Sequence, residues 1–427
     1  MSRFAKAVLA AAFFLGASAA LHSQELNPSF KAMIDAEPLR AGINTCPYDL
    51  MYTPQTYSKA PRGYRPFYIS HYGRHGARSN WDLKVYTEME GILAKAEEQG
   101  TLTSKGKTLL ETVRKEILLH DEMDGRLTPR GVREHRGIAE RMYRNYRKVF
   151  KGEKQKVRAI SSVVPRCIVS MTGFTDRLTE LAPSLDISWD TGEKYMKYLD
   201  SGSPKEVSQK VWRISDSLVY RNHVCDSLFY ADELFTSREA AFRTVPSWRW
   251  FERGIYAVAR ITGSFDLPGI FDLMPRQAIY DFCAADNLGL YLNHCNSIEF
   301  GQQRMARSRP GVEDFVRKAD AVISGQDVVQ ADLRFGHDLP FLAMTSNMGI
   351  EGVGQRLRAE DVCDKWFGTL YTPFATNLQI VFYRTSRASD PVLVKFLLDE
   401  RETGIIGLEP FSGRYYRWED VKRKWGF

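Results

Sequence analysis

Phe67-Tyr68-Ile69-Ser70-His71-Tyr72-Gly73-Arg74-His75-Gly76-Ala77-Arg78 opens as a compact aromatic and β-branched run and ends with a histidine set between arginines. Residues 67–70 read as a buried strand, so the basic cluster falls just beyond a strand's carboxyl end. Gly76 lets the backbone there approach a ligand closely.

Working outward, residues 81–98 predict a helix whose one face is Met89, Ile92, Leu93 and Ala96, at three- and four-residue spacing. Thr128-Pro129 opens a second helix, with Thr at the N-cap and Pro at the first position, running to about residue 150. Residues 157–161 and 185–189 are short strands. Between them, Pro165 starts a helix with Met171, Phe174, Leu178 and Leu181 on one face. Residues 192–328 are rich in aromatics and helical periods and poor in strand candidates. The strand pattern resumes at 332–335, a helix begins near Leu339, and 378–383 and 392–398 are late strands. Strands alternating with helices imply a layered α/β core. The expectation is a core from residues 20–191 and 329–427, with a mostly helical cap inserted over 192–328.

Arg3 and Lys6 precede the apolar run from Ala7 to Leu15, and Ala17-Ser18-Ala19 fits a small-residue cleavage site. Residues 1–19 therefore read as a signal peptide, and the apolar run is short for a membrane span. The mature chain is expected to be exported, periplasmic or secreted, with no membrane-spanning segment after cleavage. Loss of Arg3 and Lys6 lowers the formal charge from +7 to +5, a mild excess that suits an anionic partner. The basic residues are scattered and no basic-aromatic module appears, so nucleic acid is not expected as a partner. An apolar share of 44% and a charged share of 26% are those of a globular protein able to bury its own core.

Six cysteines permit disulfides in an exported chain, with no pairing readable from sequence. No CxxC pair supports a zinc ribbon. His294-Cys295 does not make a cysteine phosphatase, because that chemistry needs an arginine closing a short loop and position 301 is Gly.

Three segments carry chemistry. Arg74 and Arg78 flank His75. Arginine's planar fork matches phosphate oxygens, and like charges nearby keep an imidazole neutral and nucleophilic. Arg166 follows the strand at 157–161 and sits at a helix start, where free N–H groups already favour anions. His337-Asp338 follows the strand at 332–335. A carboxyl group beside bound phosphate holds its proton to higher pH and can protonate a departing alkoxide. The plain alternative for Asp338 is an N-cap. All three segments fall at strand carboxyl ends, where α/β sheets bind ligands. Together they supply a nucleophile, three cationic oxygen ligands and an acid, a phosphoryl-transfer set that calls for no metal or other cofactor.

At these residues the chain resembles the histidine acid phosphatase branch of the histidine phosphatase superfamily, which includes phytases and multiple inositol polyphosphate phosphatases. The resemblance runs from Arg74-His75-Gly76-Ala77-Arg78 through Leu127-Thr128-Pro129-Arg130-Gly131 and the Arg158 to Arg166 segment to His337-Asp338. It implies attack by His75 on phosphorus, and an oxygen cradle of Arg74, Arg78, Arg166 and His337. It further implies protonation of the leaving oxygen by Asp338 and hydrolysis of the phosphohistidine by water. It also implies an α/β core with a helical cap over the cleft.

Two positions depart from the family pattern. Ser79-Asn80 stands where the family often has proline two places after the second arginine, and His337-Asp338 replaces the His-Ala-Glu of many inositol polyphosphate phosphatases. The expected partner is an anionic phosphomonoester such as phytate, with Arg62, Arg65, Lys84, Lys205, Lys210 and Arg213 as candidate contacts to further phosphates. A broad-specificity or sugar-phosphate phosphatase, a mutase and a phosphate-binding inactive homologue are the rivals. The oligomeric state is left open.

Overall fold

The computed structural model describes residues 25–120, 122–152, 155–200 and 202–427. The predicted signal peptide at 1–19 lies outside them. Among the described residues the strands are β1 (Arg65–Arg74), β2 (Lys156–Ser161), β3 (Asp186–Thr191), β4 (Val329–Gly336), β5 (Asn377–Arg384), β6 (Leu393–Leu398), β7 (Arg401–Thr403) and β8 (Tyr416–Arg417). They form one sheet in the order β3-β2-β4-β1-β5-β6-β7, with β8 also paired to β6. β3, β2, β4 and β1 run parallel, and β5 enters antiparallel beside β1. The six predicted strands are all present, with ends that shift by up to a few residues: β1 and β4 run longer, β3 starts one residue later and β6 is one residue shorter. β7 and β8 are too short for an apolar alternation to mark them.

Between β1 and β2 run α1 (Lys84–Glu98), α2 (Ser104–His120) and α3 (Pro129–Asn145), and α4 (Pro165–Leu181) joins β2 to β3. The helices between β3 and β4 include α5 (Lys205–Asn222), α6 (Trp248–Ala259), α7 (Arg276–His294) and α8 (Gly301–Ile323), and α9 (Asp338–Asn347) follows β4. None of the helices among the described residues is long and apolar enough to cross a membrane.

Side chains alternate across a strand, so the sheet feeds two cores. Ile69, Val157, Ala159, Leu333, Phe335 and Val381 pack under Ile138, Met142, Met171, Phe174 and Leu178 of α3 and α4. Tyr68, Tyr72, Leu378, Ile380 and Phe382 face the opposite core, which holds Phe315 of α8 and Phe341 of α9. Buried charges in the central strands are paired, as they must be away from water. Arg334, wholly buried, donates to Asp314 of α8 at 2.8 Å and to Ser70 at 3.0 Å. Arg158 donates to Asp332 at 2.6 Å and Asp327 at 2.9 Å. Arg158 is therefore a sheet residue committed to these two carboxylates.

The layers divide differently from a simple 192–328 insertion. α8 lies on the sheet through the Asp314–Arg334 pair and belongs with the core. α1 and α2 join the cap helices instead. Thr103 N–H donates to Leu234 O at 3.1 Å, Thr236 N–H donates to Thr101 O at 2.9 Å, and Met89 of α1 packs where Gly254 of α6 has no side chain. The predicted helix from 129 to about 150 breaks at Tyr146, leaving Arg147–Phe150 as a separate turn. All six cysteines are free thiols, Cys225 half-buried and the rest buried, so the described chain is held by packing with no disulfide.

Candidate active site

Sheet register brings the three candidate segments together. Arg74 at the end of β1 pairs with Gly336 at the end of β4, and Ser161 at the end of β2 pairs with Phe335. The chain leaving β1 carries His75, that leaving β2 reaches Arg166 in the first turn of α4, and that leaving β4 carries His337 and Asp338 into α9. Arg74, His75, Arg78, Arg166, His337 and Asp338 all come to this one edge, each less than a tenth exposed.

His75 is fixed at three points. Its N–H donates to Gly336 O at 2.9 Å and its carbonyl accepts from Ala375 N–H at 3.0 Å. Its Nδ1 lies 2.9 Å from Gly76 O. A carbonyl only accepts, so Nδ1 carries the ring proton and Nε2 is left with its lone pair. Burial, then the positive charges of Arg74 and Arg166, holds the imidazole well below its usual pKa and therefore neutral.

The loop that carries His75 rests on α3. Glu134 accepts from Ala77 N–H at 2.7 Å and from Tyr48 N–H at 2.9 Å, and burial pushes its carboxyl pKa up to about 7. Gly76 and Gly131 meet backbone to backbone. A Cβ at Gly131 would lie 2.4 Å from Ala77 O and 2.8 Å from Ala77 N, and one at Gly76 would lie 2.5 Å from Gly131 O. The Leu127–Gly131 segment is thus a seat for the loop. Gly131→Ala is expected to destabilise the fold by about 1–3 kcal/mol, because backbone on both sides cannot yield. Chemical denaturation measures it, and an unchanged midpoint would remove that role.

Arg74 is committed to its surroundings. It donates to the carbonyls of Asn44 at 2.6 Å and Thr372 at 2.9 Å, and pairs with Asp338 at 3.1 Å. Arg78 and Arg166 differ. Arg78 donates to Ser79 O at 2.7 Å, and Arg166 donates to His337 Nδ1 at 3.0 Å and approaches Gly125 O at 3.5 Å. Among the described residues neither is paired with a carboxylate, and the Nε of each lacks a partner. Burial pushes the pKa of both down, and for Arg78 the charges of Arg74 and Arg166 add to it. Two buried, uncompensated guanidinium groups side by side make a strong anion site.

His337 holds Arg166 through Nδ1, while Nε2 lies 3.1 Å from Ser162 Oγ. Both ring nitrogens are already engaged, so in this arrangement His337 aims Arg166. A direct contact with phosphate would need the ring to turn or gain a proton. Burial, with Arg166 next, lowers its pKa to about 3.

Asp338 Oδ2 accepts from Asn44 Nδ2 at 2.8 Å and from Arg74, and Oδ1 accepts from Leu339 N–H at 3.1 Å. Burial raises its pKa, but Arg74 and then the Asn44 amide overcome that and leave it at about 2.

The site opens into a cleft of about 440 Å³ bordered by Asn44, Arg78, Trp81, Trp212, Arg260 and His294. None of the cations expected to reach further phosphates lines it. Arg65 begins β1, so at about 3.3 Å per residue it lies on the order of 30 Å from His75, with Arg62 preceding it. Lys84 is exposed near Glu88, and Lys205, Lys210 and Arg213 point to solvent from α5, where Trp212 faces the cleft instead. The residues absent from the sequence reading are Asn44, Trp81, Glu134 and Arg260. Asn44 and Arg260 touch each other at 3.2 Å from positions 216 residues apart, a closeness no local pattern encodes.

No family model matches the sequence, and no curated protein matches it. Solved structures do match. A multiple inositol polyphosphate phosphatase from Bifidobacterium longum in complex with phosphate superposes with a TM-score of 0.72 at 17% identity, over 91% of this chain and 97% of that one. The phytase from D. castellii gives 0.64 at 11% identity, over 90% and 85%. A Hafnia alvei phytase gives 0.52 at 12% identity, over 86% and 97%. Likeness of this extent establishes the shared fold, an α/β sheet with helices on its faces and a helical cap.

Proposed function

We propose that this protein is an exported phosphomonoester hydrolase acting through a phosphohistidine at His75, with inositol polyphosphates such as phytate as its substrate class. The carrying observation is His75 itself, its Nδ1 2.9 Å from Gly76 O and its Nε2 left with a lone pair, beside two arginines that have no carboxylate partner among the described residues. The fold shared with an inositol polyphosphate phosphatase and phytases supports the substrate class.

The phosphoryl oxygens sit against Arg78 and Arg166, with Arg74 behind them. Nε2 forms a bond to phosphorus as the ester P–O bond breaks, and Asp338 gives its proton to the departing oxygen. Water then attacks phosphorus, loses a proton to Asp338 and releases phosphate with neutral His75. Asp338 is ionised in the free protein, so its proton arrives with the substrate monoanion, whose charge also cancels the pull of Arg74.

One observation favours a second reading, a sugar-phosphate or broad-specificity phosphatase. Beyond the cradle, the described cleft offers Arg260, already paired with Asp286 at 2.7 Å, and His294, whose pKa burial lowers to about 3. Phosphate release from inositol hexakisphosphate and glucose 1-phosphate, with EDTA present and from acid to neutral pH, separates the readings. Preference for the inositol ester supports the phytase-like reading, and preference for the sugar phosphate supports the second. Loss of activity in EDTA would contradict the metal-free mechanism. Phosphate binding without release would favour an inactive homologue, and a need for a phosphorylated primer would reveal a mutase.

A further inference from the structure

Trp81 stands out among the exposed apolar residues, because it lies at the rim of the anion cradle and the mechanism above does not use it. The residue is 56% exposed. The guanidinium carbon of Arg78 lies 4.4 Å from its ring centroid and that of Arg166 lies 4.2 Å away. One indole is therefore shared by the two arginines that have no carboxylate partner among the described residues.

The ring occupies a built socket. Gly125, at φ +62°, lies directly against it, and a Cβ there would come within 2.8 Å of Cε3. The same glycine's carbonyl faces Arg166 and its N–H donates to Asn80 O at 2.7 Å. Asn80 N–H donates to His120 Nε2 at 2.7 Å, and Ser79 N–H donates to Arg126 O at 2.9 Å. The Ser79-Asn80 segment, which departs from the family pattern, is thus the strap that presents Trp81.

We propose that Trp81 is a further positioning residue of the phosphate cradle, an aromatic clamp whose π-face holds Arg78 and Arg166 in their binding orientation before any anion arrives. This rests on the hydrolase reading above for the identity of the anion. Two buried like charges repel, and their Nε groups have no partners. The negative face of an indole attracts both without neutralising them, as a carboxylate would. The arginines stay charged, ordered and free to donate, which reduces what phosphate binding must spend on ordering them.

The test compares Trp81→Phe with Trp81→Leu. Both remove bulk from an exposed position, so both are expected to fold, but only phenylalanine retains a π-face. The probe is inorganic phosphate, followed by calorimetry and as a competitive inhibitor, with KM measured beside it. Trp81→Leu is expected to weaken phosphate binding about tenfold or more and to raise KM in step, while Trp81→Phe keeps most of the wild-type affinity. Phosphate is also expected to change the tryptophan emission of wild type more than that of Trp81→Phe, which keeps Trp212 in the cleft. Equal affinities in Trp81→Leu and wild type, or equal losses in the two variants, would overturn the clamp and leave the hydrolase reading intact. A wild-type protein that neither binds nor releases phosphate would overturn both.

Discussion

Replacing His75 by alanine is expected to lower phosphate release by about 10⁴-fold or more, the scale on which enzymes lose a covalent nucleophile. The fold should survive. The two backbone bonds of position 75, to Gly336 O and from Ala375 N–H, are kept by any residue, and only the Nδ1 bond to Gly76 O is lost. Phosphate should still bind, because Arg78 and Arg166 are untouched. The variant then separates binding from chemistry, and calorimetry with inorganic phosphate checks the first while ester hydrolysis checks the second. Acid-labile, alkali-stable label on wild type, absent from His75→Ala after quenching with radioactive ester, would identify the phosphohistidine. Substantial residual turnover would remove His75 as nucleophile. The pH profile adds a constraint. The His75 pKa is held well below 6.5 by burial and by Arg74 and Arg166, so protonation of the free nucleophile should not limit the rate at mildly acid pH.

The parts of this molecule that follow local rules could be read from its sequence. Runs such as Phe67–Ser70 are apolar on both faces because β1 is a central strand, and their carboxyl ends are in register because β2, β4 and β1 are parallel. The six candidate residues follow from that rule and lie at one edge. The same rule excludes Arg62 and Arg65, since residues preceding a parallel strand lie at the end away from the site. α2 carries its own helical spacing in Leu109, Leu110 and Val113, but nothing local says that it packs on residues beyond 230. Glu134 was hidden by its chemistry, since a buried glutamate is rare and here serves two backbone N–H groups. Asn44 was hidden by distance, reaching Asp338 across 294 residues from a short 3₁₀ segment.

Asp338→Asn tests the acid, and its effect should depend on the leaving group. Esters whose alkoxide needs a proton, such as glucose 6-phosphate, are expected to lose about 10²–10⁴ in kcat. p-Nitrophenyl phosphate departs as a stable phenolate and should lose far less. Asparagine matches the volume of aspartate, but its amide cannot serve as acceptor at both Oδ1 and Oδ2 positions, which now take Leu339 N–H on one side and Asn44 and Arg74 on the other. A stability loss of about 1 kcal/mol is expected and applies equally to both substrates. The sign of the pH effect follows from the depressed carboxyl. With a free-protein pKa of about 2, Asp338 is already ionised across the acid range and must receive its proton together with the ester. The second ionisation of a phosphate monoester lies at about 6, so wild-type kcat/KM for the alkyl ester should fall roughly tenfold per pH unit above it. The fall should be shallower for the nitrophenyl ester. Equal losses on both substrates in Asp338→Asn would leave the carboxylate as a partner of Arg74 alone. A loss confined to the alkyl ester and fading at high pH, where wild type has also lost its proton, would assign the leaving-group proton to Asp338.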